Sequence, residues 1–141
     1  MKYSSDYESY YFVNPVNTKG VMGKGLAKQF KKHCPSHFAL YKLACELYKL
    51  RIGKTLFDHD NKIIALPTKD HWKEKSNINN IELALSDLLI KIKKYKIKDI
   101  VMPMIGTGLG GLSWEQEVLP LIKKMFKNSY LESLTITTWK K

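Results

Sequence analysis

Two glycine-rich segments carry the most informative residue pattern in the chain. The first covers residues 14–25, with Gly20, Gly23 and Gly25, and the second runs from Gly106 to Gly111. Glycine lacks a Cβ, so the backbone can approach an anion closely and direct successive N–H groups at it, and a following helix adds the positive end of its dipole. Glycine also serves strand-to-helix turns for steric reasons alone. Two such segments in one basic chain favour a diphosphate-binding site.

Neither segment has the spacing of a familiar nucleotide fingerprint. Residues 23–25 read Gly-Lys-Gly and lack the spacing of a P-loop. Residues 106–111 have the letters of GxGxxG, but only about thirty residues follow them, too few for the second βαβ unit of a dinucleotide fold. We therefore do not expect a dinucleotide-dependent dehydrogenase.

Reactive side chains also cluster between Pro67 and Trp72, where the chain reads Pro-Thr-Lys-Asp-His-Trp. This segment follows a short apolar stretch, and we expect it to be a loop. His33, Cys34 and His37 lie close together in the sequence, but Pro35 interrupts them and no second ligand pair is present. The sequence therefore predicts no metal site.

Hydrophobic periodicity predicts strands that alternate with helices. A short strand is expected at Tyr10–Val13, ending at Asn14-Pro15, and a helix that begins near Leu26 is expected to end before Pro35. The remaining predicted elements are a helix capped by Ser36, a hairpin of residues 55–57 and 62–66, a helix over residues 78–92, a strand over 100–104, a helix whose capping box is Ser113 and Gln116, and a strand over 134–139. This alternation predicts an α/β fold in which helices cover both faces of a sheet.

The length and charge of the chain narrow the class of protein further. A chain of 141 residues, 44% hydrophobic, is expected to form one folded domain over residues 1–141. Lys and Arg number 24 against 13 Asp and Glu, a net charge of +11, which favours an anionic partner such as a nucleotide phosphate, a nucleic acid or a membrane surface. From Lys19 to Lys54 eight lysines and one arginine stand against one glutamate, so this charge is expected to surround a nucleotide cleft.

Targeting signals and cysteine usage indicate the compartment. Cys34 and Cys45 do not form a disulfide framework, Met1–Ser9 has no apolar signal region, and no run of eighteen apolar residues occurs. We expect a cytoplasmic protein that does not bind a membrane.

Three separated motifs, in the same order, resemble those of macrodomains, the family that binds ADP-ribose. Within that family the chain is most similar to the branch of the DarG antitoxins, which remove ADP-ribose from DNA bases, and of the terminal ADP-ribose protein glycohydrolases. The matching stretches are residues 13–17 with 20–27 and 29–31, residues 66–69, and residues 105–112 with Trp114. The resemblance implies a three-layer α/β/α sandwich with a mixed central sheet and a ligand cleft at the strand ends.

The resemblance also implies which residues line that cleft. Asn17 and the segment 21–25 would lie by the distal ribose, and Thr107–Leu109 would wrap the diphosphate through backbone amides. The full set of expected ligand-binding residues is Asn17, Val21, Met22, Gly23, Lys24, Gly25, Thr68, Gly106, Thr107, Gly108, Leu109 and Gly110.

Lys69 matches the catalytic lysine of this branch, which attacks the anomeric carbon of the distal ribose or assists its departure. An amine is a nucleophile only when neutral, and a pKa of about 10.4 leaves about one lysine in a thousand neutral at pH 7. Burial, or a second cation such as Lys24 nearby, would lower that pKa. The leaving group needs a proton or a hydrogen bond, for which His71 and Asp70 are the nearest candidates in the sequence.

The sequence departs from the pattern of other macrodomains at three places. No Gly-Asp-Ile-like turn precedes the first motif, and Asp6 is the sole early aspartate, so residues 1–10 form an atypical first-strand region. Gly110 occupies the position at which human-type relatives carry a second catalytic aspartate, which points to the DNA-directed branch. Residues 14–17 read Asn-Pro-Val-Asn, which argues against the protein-deacylating macrodomains.

The resulting hypothesis is a monomeric ADP-ribosyl glycohydrolase without a cofactor that acts on a modified nucleic-acid base or side chain, with single-stranded DNA as a candidate partner. The first alternative is a module that binds ADP-ribose or a related nucleotide signal without turnover. The second is a nucleic-acid-binding protein unrelated to ADP-ribose, which predicts strongly salt-dependent binding to unmodified DNA.

Overall fold

The structure, a computed structural model, describes residues 9–138, in which strands and helices alternate. The strands are β1 (Tyr11–Asn17), β2 (Leu56–Asp58), β3 (Ile63–Lys69), β4 (Asp99–Pro103) and β5 (Ser133–Thr137). The α-helices are α1 (Gly25–His33), α2 (Pro35–Glu46), α3 (Ile78–Tyr95) and α4 (Leu119–Met125). A 3-10 turn at Gly108–Gly110 and a π-helical turn at Trp114–Val118 lie between β4 and α4.

The five strands form one mixed sheet in the order β2-β3-β1-β4-β5. β1 is parallel to β3 and to β4, β4 is parallel to β5, and only β2 runs antiparallel, in the predicted hairpin with β3. The carboxyl ends of four strands therefore meet at one edge of the sheet, and the segments that leave this edge position the candidate site.

Helices cover the two faces of the sheet, which confirms the predicted three-layer α/β/α arrangement. Ile64 and Leu66 point into a core with α3 and α4, whereas Ala65 between them packs on the other face with Tyr41 of α2. β3 is buried from Ile63 to Thr68, as expected of a central strand covered on both sides. None of the helices in the described part of the chain is both long and apolar enough to cross a bilayer.

β1 does not end at Asn14-Pro15, so this prediction was wrong. The strand continues to Asn17, with Pro15 opposite Leu66 of β3. Its ladder to β4 on the other side comprises only the pairs at Tyr11 and Phe12. Proline breaks a strand by removing a ladder donor, and the ladder on the β4 side has already ended before Pro15.

The segment 67–69 was also predicted wrongly, because it belongs to β3 and not to a loop. The register shifts between Val16 and Asn17, so that Val16 lies opposite Pro67 and Asn17 lies opposite Lys69. Thr68 is the extra residue of this irregularity. Such an irregularity locally re-aims side chains, and here it lies at the end of the strand that carries Lys69.

Two of the predicted helix caps differ from those in the structure. Ser36 does not cap α2, which begins at Pro35, a residue suited to the first helical position. Ser113 does accept a hydrogen bond from the Gln116 N–H, but its own N–H donates to Glu117 Oε2 and not to Gln116. The wider π-helical turn brings the residue after Gln116 into that position.

The other predicted elements are present with small shifts in their bounds. The long helix extends three residues beyond its last predicted apolar position, to Tyr95, and begins at an Asn77 cap that accepts from Asn79 N and Asn80 N. The last strand begins at Ser133. It ends at Thr137, before its predicted end, because Thr138 is no longer in the strand. Trp139 and residues 1–8 of the predicted atypical region 1–10 lie outside the described residues.

Candidate active site

The sheet topology places the candidate ligand crevice at the carboxyl ends of β1 and β4, which are neighbouring strands. The chain leaves β1 toward the face covered by α1 and α2, and it leaves β4 toward the face covered by α3 and α4. In open α/β sheets this reversal of direction between neighbouring strands is where ligands bind. The crevice is therefore bordered by the two glycine-rich segments that the sequence singled out.

Asn17, the last residue of β1, shapes the first of these segments. Its side chain is buried, and its amide donates to the Val21 carbonyl at 2.8 Å while Oδ1 accepts from the Lys19 N–H at 2.9 Å. The Tyr41 hydroxyl lies 2.7 Å from the Asn17 carbonyl oxygen and 2.9 Å from Oδ1. Burial raises the pKa of Tyr41, so its hydroxyl keeps the proton that it donates here. Asn17 thus holds the turn that leads into α1.

The segment from Val21 to Gly25 presents its backbone more than its side chains. The Met22 side chain is buried in the core with Tyr41, so only its main chain is available to a ligand. Gly23, Lys24 and Gly25 are exposed, and Gly25 has a left-handed φ of +62°. Within the described residues no side chain caps α1, and its first turn contains no acid. The amides at its start therefore remain available to an anion.

The second glycine-rich segment, residues 106–111, lies within a turn of residues 104–113 that requires glycine at its base. Gly106 has φ +76°, and a Cβ there would lie 2.6 Å from Ile81 Cδ1. The Thr107 hydroxyl donates to the Met104 carbonyl at 2.6 Å, and the Leu112 N–H donates to the Gly106 carbonyl at 2.9 Å. These contacts close the turn around residues 107–109.

The amides of Thr107, Gly108 and Leu109 make no hydrogen bond to any group within residues 9–138. Gly108 and Leu109 are exposed, with 68% of Leu109 accessible. Three successive free N–H groups at the edge of the crevice form the kind of concavity that binds a phosphate oxygen. The predicted role of these residues in diphosphate binding is compatible with this arrangement.

Gly110 joins this segment to the start of α3. A Cβ at Gly110 would lie 2.5 Å from Ser76 Oγ and 3.1 Å from Ser76 Cβ, and the Ser76 N–H donates to the Gly110 carbonyl at 2.9 Å. A side chain at this position would therefore require Ser76 to move. An aspartate at position 110, as in the human-type relatives, would collide with Ser76.

Lys69 ends β3 opposite Asn17 and is half-buried. Its ammonium forms no ion pair with any described residue, although Asp70 follows it directly. The Asp70 carboxylate instead accepts a hydrogen bond from the Thr18 hydroxyl and lies 3.5 Å from Lys19 Nζ. The Asp70 carbonyl accepts from the Thr18 N–H at 3.0 Å. Lys69 is therefore a cation at this edge that no carboxylate of a described residue neutralises.

Asp70 and His71, the two residues that the sequence offered to assist the leaving group, have different hydrogen-bonding states in the structure. The Thr18 hydroxyl bond and the charge of Lys19 lower the pKa of Asp70, so this carboxyl is ionised at neutral pH and acts as an acceptor. The ring of His71 stacks on Trp72 at 3.8 Å, and its Nδ1 accepts from the Lys73 N–H at 3.1 Å. In the neutral ring this bond assigns the proton to Nε2. The Nε2–H of His71 therefore remains the candidate hydrogen-bond donor to the leaving group.

Sequence reasoning found the segments of the site but missed the residues that hold them. Thr18, Tyr41 and Ser76 hold Asp70, Asn17 and Gly110, as described above. Isolated hydroxyl residues carry no sequence signal of this kind, because their partners lie 24 to 52 positions away in the chain for Tyr41 and Thr18.

Comparison with known proteins agrees with this geometry. The sequence model of the family described as Macro domain matches residues 13–119, which is more than half of the chain. This chain belongs to the macrodomain family.

Relatives within the family are similar over most of the chain. It is 40% identical over 111 residues to the DNA ADP-ribosyl glycohydrolase of Thermus aquaticus, a match that covers 74% of this chain and 31% of the relative. It is 41% identical over 109 residues to the protein of the same name from Mycobacterium tuberculosis, covering 73% and 31%. The chain thus spans about a third of the length of these curated relatives.

Solved structures show the same fold. The macrodomain of M. tuberculosis DarG superposes with a TM-score of 0.82 at 34% identity, covering 93% of this chain and 89% of that one. The macrodomain of T. aquaticus DarG gives 0.81 at 35% identity, with the same coverage. Thermosipho africanus DarTG in complex with ADP-ribose gives 0.80 at 32% identity, covering 93% of this chain and 39% of that chain.

Proposed function

We propose that this chain is an ADP-ribosyl glycohydrolase that removes ADP-ribose from a modified nucleic-acid base, with single-stranded DNA as the substrate strand. The observation that carries the proposal is the unpaired Lys69 at the end of β3, on the same sheet edge as the free amides of residues 107–109. The names of the curated relatives, DNA ADP-ribosyl glycohydrolase, support the same reaction.

In this proposal the two glycine-rich segments bind the diphosphate from opposite sides of the crevice. The free amides of Thr107, Gly108 and Leu109 donate to one phosphate, and the uncapped first turn of α1 faces the other. The distal ribose then lies beside Asn17 and Lys69, which are paired across β1 and β3. Neither the first turn of α1 nor residues 104–113 contain an acid, so nothing in these segments repels the phosphates.

The proposed chemistry is nucleophilic. The neutral Lys69 amine attacks the anomeric carbon of the distal ribose, a C–N bond forms, and the glycosidic bond to the base breaks with its electron pair leaving on the base. The base takes the proton that the attacking amine loses when the C–N bond forms, and the Nε2–H of His71 is the candidate hydrogen-bond donor to the leaving nitrogen. Water then hydrolyses the ribosyl-lysine bond, which releases ADP-ribose and restores the amine.

The test is an incubation of the protein with a single-stranded oligonucleotide that carries one ADP-ribosylated base. We expect free ADP-ribose and the unmodified oligonucleotide as products. Calorimetry with free ADP-ribose is run beside it: heat of binding without any release would support the non-catalytic binding module, and neither heat nor release would contradict both.

A further inference from the structure

We propose that a second cavity beside the crevice binds an unstacked nucleotide of the modified strand, adjacent to the ADP-ribosylated one. The proposal rests on the proposed function and extends it from the ADP-ribose group to the nucleic acid. The cavity has a volume of about 410 Å³, and its polar lining comprises Thr18, Lys19, Tyr48, Arg51 and Asp70.

The cavity adjoins the reacting end of the crevice. Asp70 follows Lys69 and Thr18 follows Asn17, so the cavity begins where β1 and β3 end. Its lining includes no residue from 21–25 or 106–111, although Thr18 and Lys19 of the first glycine-rich segment belong to it. A glycosidic bond positioned at Lys69 would therefore have the ADP-ribose on the side of those segments and the strand on the side of this cavity.

Tyr48 provides an aromatic surface for a base. Its side chain is 74% exposed, and its backbone is left-handed, with φ 57°, just after α2. An Arg51 Nη1–H donates to the Tyr48 carbonyl at 2.5 Å, which holds this turn in place. Aromatic side chains that project beside a basic groove are the platforms on which proteins stack unpaired bases.

The charged groups of the cavity fit the remaining parts of a nucleotide. The Arg51 guanidinium has donors beyond the one used on Tyr48, and Lys19 adds a second cation for a backbone phosphate. Asp70 lines the same cavity, and its carboxylate is an acceptor suited to an N–H of a base edge. Buried Leu50 lies beneath these polar groups as an apolar floor.

The test compares two substrates that share the reacting bond. One is an ADP-ribosylated single-stranded oligonucleotide, and the other is the same ADP-ribosylated nucleoside without flanking nucleotides. Tyr48→Asn removes the ring but retains a residue that tolerates left-handed backbone. The control is Tyr130→Asn, which removes another exposed tyrosine, from the segment before β5.

We expect Tyr48→Asn to lower kcat/KM about tenfold on the oligonucleotide, as for loss of a stacked base, and to leave the nucleoside substrate within about twofold of wild type. Tyr130→Asn should change neither. Equal losses on both substrates, or no loss on the oligonucleotide, would overturn the proposal.

Binding of the oligonucleotide, followed by fluorescence anisotropy, keeps this test separate from the proposed function. If wild type released no ADP-ribose, the glycohydrolase proposal would fail, but weaker oligonucleotide binding by Tyr48→Asn would still support the cavity, and unchanged binding would overturn it. Arg51→Gln should reduce the slope of log Kd against log salt by about 0.7, the contribution of one phosphate contact on a single strand. An unchanged slope would contradict the proposed contact between Arg51 and a phosphate of the strand.

Discussion

Gly110 is a residue at which an added side chain would meet a neighbour, Ser76. A Cβ at this position would meet Ser76 Oγ at 2.5 Å and Ser76 Cβ at 3.1 Å. We predict that Gly110→Ala displaces residues 107–109 and weakens ADP-ribose binding about tenfold, because the free amides lose their alignment. Calorimetry with ADP-ribose measures the effect.

The double variant Gly110→Ala with Ser76→Gly tests whether this contact is the cause. Since Ser76→Gly removes both colliding atoms, the double variant should bind more tightly than Gly110→Ala alone, a coupling that a double-mutant cycle resolves. Gly108→Ala is the control, because no atom lies within 4 Å of its Cβ position and only its φ of +63° opposes the change. Its loss of affinity should not depend on Ser76, and absence of coupling at Gly110 would contradict the steric explanation.

At the scale of elements, Asp87 ties α3 to the segment that precedes β2. Its carboxylate accepts from the Thr55 N–H at 2.8 Å, from the Thr55 hydroxyl at 2.7 Å and from Lys91 at 2.9 Å. Burial alone would raise the pKa of Asp87, but these hydrogen bonds outweigh burial and lower it. The carboxylate therefore stabilises the fold at pH values above its ordinary pKa of about 3.9, and this contribution is lost as the pH falls through the lower pKa of the folded state.

We predict that Asp87→Asn lowers the free energy of unfolding at pH 7 by about 1–3 kcal/mol, because buried donors lose a charged acceptor. The difference from wild type should shrink as the pH falls from 5 to 2. Urea unfolding across this range measures both effects. Asp60→Asn, at an exposed turn position, is the matched control; a pH-independent deficit in Asp87→Asn would argue against the charged acceptor.

His37 joins α2 to β2 through a neutral ring. It is fully buried, with Nδ1 2.9 Å from Asp58 Oδ2 and Nε2 3.3 Å from Asn14 Nδ2. Burial lowers the pKa of His37 more than Asp58 raises it. The ring therefore stabilises the fold fully above the unfolded pKa of about 6.5, and this contribution decreases as the pH falls below that value.

Nuclear magnetic resonance titration of the His37 ring should give a midpoint below about 6.5. In Asp58→Asn the midpoint should fall further, since the attraction of the carboxylate is lost. A midpoint above that value in the wild type would mean that the ion pair dominates over burial.

Hydrophobic periodicity in the sequence predicted which helices and strands are present more accurately than it predicted the residues at which they begin and end. The apolar spacing of residues 78–92 predicted α3 because that stripe faces the core directly. The predicted strand ends at Pro15 and Pro67 were wrong. A proline taken from the sequence alone indicates the end of a strand, but here β1 and β3 pair with each other across both prolines. Pairing of this kind joins residues about fifty positions apart, and local pattern does not report it.

At the scale of the whole molecule, the basic charge is uneven, with its main excess between residues 19 and 54. Lys31 and Lys32 are exposed on α1, which begins at the crevice. We predict that reversing both to Glu weakens binding of single-stranded DNA far more than binding of free ADP-ribose, because only the strand extends over this surface. Equal losses for the two ligands would count against a strand on this face.

The control for this charge reversal is Lys123→Glu with Lys124→Glu. These residues are also adjacent and exposed, but they lie on α4, which packs on the other face of the sheet. Salt titration of DNA binding should give a shallower slope for the α1 variant and an unchanged slope for the α4 variant.

The sequence sufficed to name the family and the segments around the crevice, because macrodomain motifs are local strings of glycine, asparagine and lysine. It did not predict that Thr18 and Lys19 hold Asp70 and so leave Lys69 unpaired, nor that Tyr48, Arg51 and Asp70 share a cavity. Those arrangements depend on how α2 packs beside the ends of β1 and β3, which only the folded chain determines.

The rate of ADP-ribose release by Lys69→Ala tests the central claim most directly. The assay uses an ADP-ribosylated single-stranded oligonucleotide, with Lys98→Ala as control, because Lys98 is an exposed lysine at the opposite edge of the sheet. We predict release slower by about a hundredfold or more for Lys69→Ala, with the Kd for ADP-ribose nearly unchanged, and wild-type release for Lys98→Ala. Equal release by Lys69→Ala and the wild type would contradict it.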